Sequence, residues 1–115
     1  MITLDTVQKM FASMRRDAPW YIEGDLLWAY FFTDRDQQRL SALARRLSPE
    51  GYRTVSIYLT EDGSSSVLHL QRIETHTPQS LHARNQELHH LATECGIASY
   101  DGMDVGPVPS KQSRL

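Results

Sequence analysis

Five histidines are the first residues to consider, because imidazole is a common metal ligand and a frequent acid or base in catalysis. A zinc site on a helix needs two ligands spaced i, i+4 or a pair of cysteines, and neither arrangement occurs here. We therefore predict partly exposed surface histidines and no metal or cofactor, with a weak adventitious metal contact as the alternative. The histidines are His69, His76, His82, His89 and His90.

The single cysteine, Cys95, is the candidate nucleophile. It lies on the apolar stripe of a predicted helix, which favours a buried structural thiol. A catalytic thiol needs a lowered pKa and a nearby base, a role that falls to His76 if the fold brings the two together. A hydrolase or transferase built on this pair is one hypothesis, but the chain has no nucleophile elbow and no phosphate-binding glycine loop. We predict a protein that is not an enzyme.

Aromatic residues are concentrated near the first predicted strand, residues 26–32, and in the loop before it, which carries Trp20 and Tyr21. Aromatic side chains on an open four-stranded sheet are typical of RNA-binding RRM domains. The strand at residues 66–72 lacks the ribonucleoprotein signature of those domains, and the net charge is −2. We therefore expect no direct nucleic-acid binding.

Length and composition limit the possible classes of protein. With 115 residues, the chain is long enough for one domain with its own core. Its longest apolar run, residues 26–32, is far shorter than the about 20 residues of a membrane span. The N-terminus lacks the pattern of a secretion signal, and a lone cysteine fits a reducing compartment. We expect a cytoplasmic protein with no membrane contact.

Hydrophobic periodicity predicts three helices. In the first, Asp5 is the predicted N-cap and Pro19 ends the helix. The second begins at Asp34, and the third begins at Thr77 and ends at Gly96. Apolar residues at helical spacing form one stripe on each helix. The stripes are Leu4, Val7, Phe11 and Met14; Leu40, Leu43, Ala44 and Leu47; and Leu81, Leu88, Leu91, Ala92 and Cys95.

Four segments read as strands. Residues 26–32 are continuously apolar, which favours a central strand buried on both faces. Residues 52–60 alternate, and a hairpin turn at residues 62–63 leads to a strand at 66–74. The last strand covers residues 97–105. The predicted core comprises Leu27 or Trp28, Phe31 or Phe32, Leu40, Leu43, Leu47, Val55, Ile57, Leu59, Leu88 and Leu91.

The order is therefore a helix followed by β-α-β-β-α-β, which predicts an α+β ferredoxin-like sandwich. Right-handed crossovers place both long helices on one face of a four-stranded antiparallel sheet. The extra first helix is expected to cover an edge or the open face of the sheet. We assign residues 1–105 to one domain and residues 106–115 to a flexible tail.

The end of this domain resembles a known family. Residues 98–105, with Tyr100, Asp101 and Gly102, resemble the Tyr-Asp-Gly-Trp closing motif of the bacterial RraB family, regulators of ribonuclease E activity. The strand and leucine helix after Trp28, the glycine-tyrosine entry at residues 50–52, and the connection at residues 72–78 with its following helix are similar to that family too. Met103 stands where the family has a tryptophan.

The resemblance implies a ferredoxin-like fold, no cofactor and no catalysis. It also implies that the protein binds an endoribonuclease and thereby slows RNA turnover. The family's founding members have strongly acidic ends, whereas this chain has a nearly neutral start and a tail with Lys111 and Arg114. The leading hypothesis is thus a regulatory protein-binding domain. The alternatives are a small-molecule-binding domain that uses the sheet face or a dimer interface, and a domain with an unidentified partner. The oligomeric state is left open.

The hypothesis for the binding site joins the closing motif to the aromatic loop. Glycine allows the backbone to bend within a strand, methionine adapts to varied partners, and tryptophan and tyrosine anchor interfaces. The alternative is that Tyr100 and Met103 close the core against the first helix. The predicted partner-binding residues are Trp20, Tyr21, Tyr100, Asp101, Gly102 and Met103.

Overall fold

A computed structural model describes residues 2–19 and 22–108 of the chain, and the helices and strands follow the predicted order. This order confirms an α+β fold in which a first helix precedes a β-α-β-β-α-β unit. The elements are α1 (Leu4–Asp17), β1 (Leu26–Asp34), α2 (Gln37–Leu47), a 3₁₀ turn (Ser48–Glu50), β2 (Arg53–Leu59), β3 (Ser66–Glu74), α3 (Pro78–Glu94) and β4 (Ser99–Gly106).

Within this part of the chain the strands form one antiparallel sheet in the order β2-β3-β1-β4. β1 pairs with β3 along its whole length and with β4 on its other side. It is therefore the central strand, as predicted. β2 and β4 are the edge strands, and the arrangement is that of a ferredoxin-like sandwich.

The three helices described above cover one face of this sheet. Trp28 and Tyr30 on that face are fully buried. α1 lies in the same helical layer, since the rings of Phe11 and Trp28 stack with centroids 6.1 Å apart. The first helix therefore does not cover the open face, which was one of the two positions expected for it. On the opposite face Leu27 and Phe31 are only half-buried because no described helix covers them, so β1 is not buried on both faces.

The core lies between the sheet and the helices, and it contains the predicted stripe of α2. Leu40, Leu43 and Leu47 are at most 2% exposed. In α3, Leu88 is buried, whereas Leu91 is half-buried against the edge of the core. The helical assignments from sequence are confirmed by this burial.

The predicted orientation of β2 is wrong in part. Val55 and Leu59 are 40% and 61% exposed, although both were expected in the core. The register of β2 against β3 shifts between Thr54 and Ser56, which makes Val55 the extra residue of a β-bulge. A bulge interrupts the two-residue alternation, which accounts for the exposure of Val55. Leu59 lies on the same face as Ile57, but it is the last residue of an edge strand, so only Ile57 of the predicted set packs against the core.

Two helix caps also differ from the prediction. Thr3, not Asp5, caps α1, and its hydroxyl accepts a 3.2 Å hydrogen bond from the backbone N–H of Thr6. Asp36, not Asp34, caps α2, and its carboxylate accepts a 2.8 Å hydrogen bond from the backbone N–H of Gln38. Both capping residues have the extended backbone conformation that suits an N-cap. The predicted cap of α3 at Thr77 is confirmed.

Asp34 has a different role at the end of β1. It is 2% exposed, and its carboxylate accepts hydrogen bonds from the N–H groups of Asp36 at 2.9 Å and Ala98 at 2.8 Å. The side chain therefore ties the end of the central strand to the segment that enters β4.

The end of the last strand lies close to the predicted end of the domain, residue 105. β4 ends at Gly106, and residues 109–115 of the predicted tail lie outside the described residues. Among the described helices, none is long and apolar enough to cross a bilayer.

Candidate interaction surface

The predicted binding segment forms an irregular part of β4. Tyr100 and Gly102 lie opposite consecutive residues of β1, so Asp101 is an extra residue in a β-bulge. Gly102 has φ of 113°, in the left-handed region that favours glycine. A Cβ atom at this position would lie 3.1 Å from the Cδ1 atom of Ile2. The predicted interruption of the last strand is thus a backbone feature that requires glycine.

Tyr100 and Met103 lie on the side of β4 that faces the helices. Both are half-buried and pack against the core. The Tyr100 hydroxyl donates a 2.6 Å hydrogen bond to Oδ1 of Asn85, and Nδ2 of Asn85 donates to the Met103 sulfur at 3.5 Å. Burial raises the pKa of Tyr100 above its usual value. These two side chains therefore attach β4 to α3.

Asp101 is the exposed member of the segment. Its carboxylate accepts hydrogen bonds from the hydroxyls of Thr33 and Ser99. Trp20 and Tyr21 lie outside the described residues. The strand that follows them runs for about 20 Å before it reaches the bulge. The structure thus brings together the four closing-motif residues and exposes one of their side chains.

A second group of polar residues lies where β3 meets α3. The Glu74 carboxylate accepts hydrogen bonds from the Tyr30 hydroxyl at 2.6 Å and from Nη1 of Arg84 at 2.9 and 3.0 Å. Nε2 of His76 lies 3.2 Å from the same carboxylate, and Nδ1 lies 2.9 Å from the Ser80 hydroxyl. His76 is only 8% exposed, so its assignment as a surface histidine is wrong. We call these five residues the Glu74 cluster.

The Glu74 carboxylate lies among hydrogen-bond donors and positive charges, since Nε of Arg72, outside the cluster, also lies 3.6 Å from it. Burial alone would raise the pKa of Glu74, but hydrogen bonds from His76 and Tyr30 and the charge of Arg84 lower it to about 2. Burial and the adjacent carboxylate raise the pKa of Tyr30 well above its usual value. At neutral pH the cluster therefore contains an ionised carboxylate with its acceptor positions occupied. This arrangement suits a structural tie between strand and helix.

The thiol and imidazole of the enzyme hypothesis do not meet. His76 precedes α3 and Cys95 follows it, and a helix of 17 residues separates them by about 26 Å. Nη1 of Arg46 lies 3.5 Å from the Cys95 sulfur. In the part of the chain that the structure describes, no group of three or more His, Cys, Asp or Glu residues is placed to hold a metal ion.

The sheet face opposite the helices offers a different kind of surface, which we call the open face. Ile73 and Tyr58 on this face are 52% and 46% exposed. A cavity of about 570 Å³ lies at one corner of it. Apolar side chains and two arginines meet there, which suits a group that is both apolar and anionic. The lining residues are Leu27, Gly51, Arg53, Gln71, Arg72 and Ile73.

Sequence reasoning missed the polar residues beneath α3. The stripe of this helix has a gap between Leu81 and Leu88, and Arg84 and Asn85 occupy the positions that continue the same face. Asn85 is 1% exposed and Arg84 binds Glu74. This gap in the apolar stripe could have indicated the polar contacts, because polar residues in the middle of a buried stripe need buried partners.

The sequence profile of the RraB family, described as Regulator of ribonuclease activity B, matches residues 6–105. The match begins within α1 and ends within β4, so it includes most or all of every described strand and helix. A search of curated proteins finds no match to the chain.

Proposed function

The chain belongs to the RraB family, and from this membership we propose that it is a non-enzymatic regulator that binds an endoribonuclease of the ribonuclease E type and slows RNA turnover. The supporting observation is the extent of the match, residues 6–105 of 115. A match of this length concerns the whole domain and not a single motif. The proposed site of action is the cytoplasm, where RNA turnover takes place.

We propose that the partner binds along the β4 edge. Asp101 and Asp104 are both exposed on this edge strand. A ribonuclease binds a polyanion and must present basic groups to it, so an acidic edge is complementary to such a protein and favours rapid association. In this proposal Trp20 and Tyr21 supply aromatic contacts, and the half-buried side chains beneath the bulge hold Asp101 in place.

The experiment measures binding of a ribonuclease E-type enzyme to the full-length protein, after co-purification from native cells has identified the partner. Asp101→Asn should weaken binding by roughly tenfold, about 1.4 kcal/mol, because it removes one charge from a desolvated contact. Asp62→Asn is the matched control, since Asp62 is also exposed and its carboxylate also accepts hydroxyl hydrogen bonds, from Thr60 and Ser64 in the β2–β3 loop.

The possible results test separately whether the protein binds the enzyme and which surface it uses. If the wild-type protein does not bind the enzyme, the proposed function is wrong. If it binds and both variants bind equally well, the partner uses another surface. The melting temperatures of both variants must match that of the wild-type protein, which establishes that any loss of affinity is not a loss of fold.

The second candidate function is binding of a small molecule at the corner of the open face. The cavity of about 570 Å³ supports it, since small-molecule sites typically have volumes of about 300–1,000 Å³. Arg53 favours a ligand with a carboxylate or phosphate beside an apolar group, whereas Nε of Arg72 already lies 3.6 Å from the Glu74 carboxylate. Native mass spectrometry of the protein purified from its own cells tests this directly, because a retained small molecule would favour this function over protein binding alone.

A further inference from the structure

The open face has mostly apolar side chains at its centre and opposite charges at its two edges. Its centre consists of the alternate residues of β1 and β3 that point away from the helices, from Leu27 and Ile73 at one end to Thr33 and Val67 at the other. The polar members of this set are Thr33, His69 and Gln71. Ile73 is 52% exposed, and Leu27 and Phe31 are half-buried. Side chains of this kind remain in contact with water in a single copy of the chain, which favours their burial against a second surface.

The strand register aligns the charges in a single row. Arg53 of β2 pairs with Gln71 of β3, Gln71 pairs with Ala29 of β1, and Ala29 pairs with Asp104 of β4. Arg53 and Asp104 are both exposed and lie about 14 Å apart, since three strand spacings separate them. The Arg53 guanidinium donates a hydrogen bond to the Gln71 side chain at 2.5 Å, and Asp104 accepts one from the N–H of Val105 at 2.8 Å.

This pattern is complementary to itself. A two-fold axis that runs parallel to the strands, midway between β3 and β1, places β2 of one copy over β4 of the other. Because the axis preserves the level along the strands, Arg53 of each copy lies over Asp104 of its partner. The same operation places Ile73 over Leu27 at the centre. Two apolar contacts and two ion pairs therefore form together, as an isologous interface requires.

The dimensions fit a sheet-on-sheet contact. Sheets pack about 10 Å apart with their strands within about 30° of each other, and an arginine and an aspartate together span that separation. Four strands of up to nine residues cover roughly 550 Å² per copy. This area is close to the lower limit of about 600 Å² per partner for specific complexes.

We propose that the open face pairs with the open face of a second copy of this chain, and that the protein is a reversible two-fold dimer with its helices on the outside. The small area places this dimer among the weak, reversible complexes. The proposal concerns self-association and holds whether or not the chain binds a ribonuclease.

Sedimentation velocity of the full-length protein, from about 1 to 500 µM, measures the dimer directly. Arg53→Glu and Asp104→Arg should each weaken self-association by roughly tenfold or more, because each variant places like charges opposite one another twice. Arg45→Glu, an exposed charge reversal on α2, is the control and should dimerise like the wild-type protein. Circular dichroism and melting temperatures establish that all three variants fold.

Mixing the two charge-reversal variants gives the sharpest result. In a mixed dimer Glu introduced at position 53 faces Arg introduced at position 104, and the unchanged Asp104 faces the unchanged Arg53. The mixture should therefore dimerise with wild-type affinity although each variant alone does not. A wild-type protein that stays monomeric at all concentrations overturns the proposal, as does a dimer that neither variant weakens. A mixture that fails to recover overturns the two-fold arrangement.

Discussion

Replacing Glu74 by glutamine removes the charge at the centre of the Glu74 cluster while keeping the shape of the side chain. The side chains of Glu74 and Arg84 are only 13% and 18% exposed, so the arginine would lose its buried ionised partner and keep only the exposed Glu87. Breaking a buried ion pair costs about 3–5 kcal/mol. Allowing for the one hydrogen bond that the amide oxygen retains, we expect the free energy of unfolding to fall by about 3 kcal/mol, measured by urea denaturation at pH 7.

Glu87→Gln is the matched control for this change. Glu87 lies 3.1 Å from Nε of the same Arg84, but its side chain is 63% exposed. An exposed ion pair contributes at most about 1 kcal/mol, so this variant should be nearly as stable as the wild-type protein. Equal stability of the two variants would refute the assignment of Glu74 as the buried partner.

The same cluster predicts a pH dependence with a definite sign. Hydrogen bonds and the Arg84 charge outweigh burial and lower the pKa of Glu74 from 4.5 to about 2. A lowered carboxyl pKa stabilises the folded state fully above the unfolded value, and this contribution disappears as the pH falls from about 4.5 towards 2. A shift of this size corresponds to about 3 kcal/mol. Between pH 4.5 and 2 the free energy of unfolding of the wild-type protein should therefore fall by about 3 kcal/mol more than that of Glu74→Gln. Equal decreases in the two proteins would contradict this assignment.

Two further predictions use the same denaturation assay. Leu43→Ala should lower the free energy of unfolding by about 2–5 kcal/mol because Leu43 is 2% exposed. Leu59→Ala should change it by less than about 0.5 kcal/mol because Leu59 is 61% exposed. Similar losses would reject the placement of Leu59 outside the core. Gly102→Ala should lower the free energy of unfolding by about 1–3 kcal/mol because φ is 113° at this position. Gly106→Ala is the control and should lower it far less, because no atom lies within 4 Å of the new Cβ. An unchanged stability of Gly102→Ala would mean that the bulge tolerates a side chain.

The order of the elements could be predicted from sequence because each helix has one apolar stripe and clear end signals. Leu40, Leu43 and Leu47 repeat at helical spacing, and each of them is buried. The orientation of β2 could not be predicted, because the extra residue at Val55 is visible only in the pairing of two strands. Alternation in a sequence assumes an uninterrupted register, and a bulge removes that assumption.

The candidate site was predictable in its backbone and less so in its side chains. Asp101-Gly102 indicated an interruption, and the structure places a bulge there. Tyrosine and methionine occur both in cores and at interfaces, so the types of Tyr100 and Met103 do not determine their burial. The Glu74 cluster was not predicted because Glu74 and Arg84 belong to different elements, and only the packing of β3 against α3 brings them to 2.9 Å.

The regulatory role is tested most directly by the rate at which a ribonuclease E-type enzyme cleaves a defined RNA in the presence of increasing concentrations of the full-length protein. We predict that the rate falls and then saturates, with a midpoint equal to the dissociation constant measured for the two proteins, and that Asp101→Asn moves this midpoint to a roughly tenfold higher concentration. An RNA cleavage rate that is unchanged at a concentration where the two proteins are fully bound would contradict the proposed function.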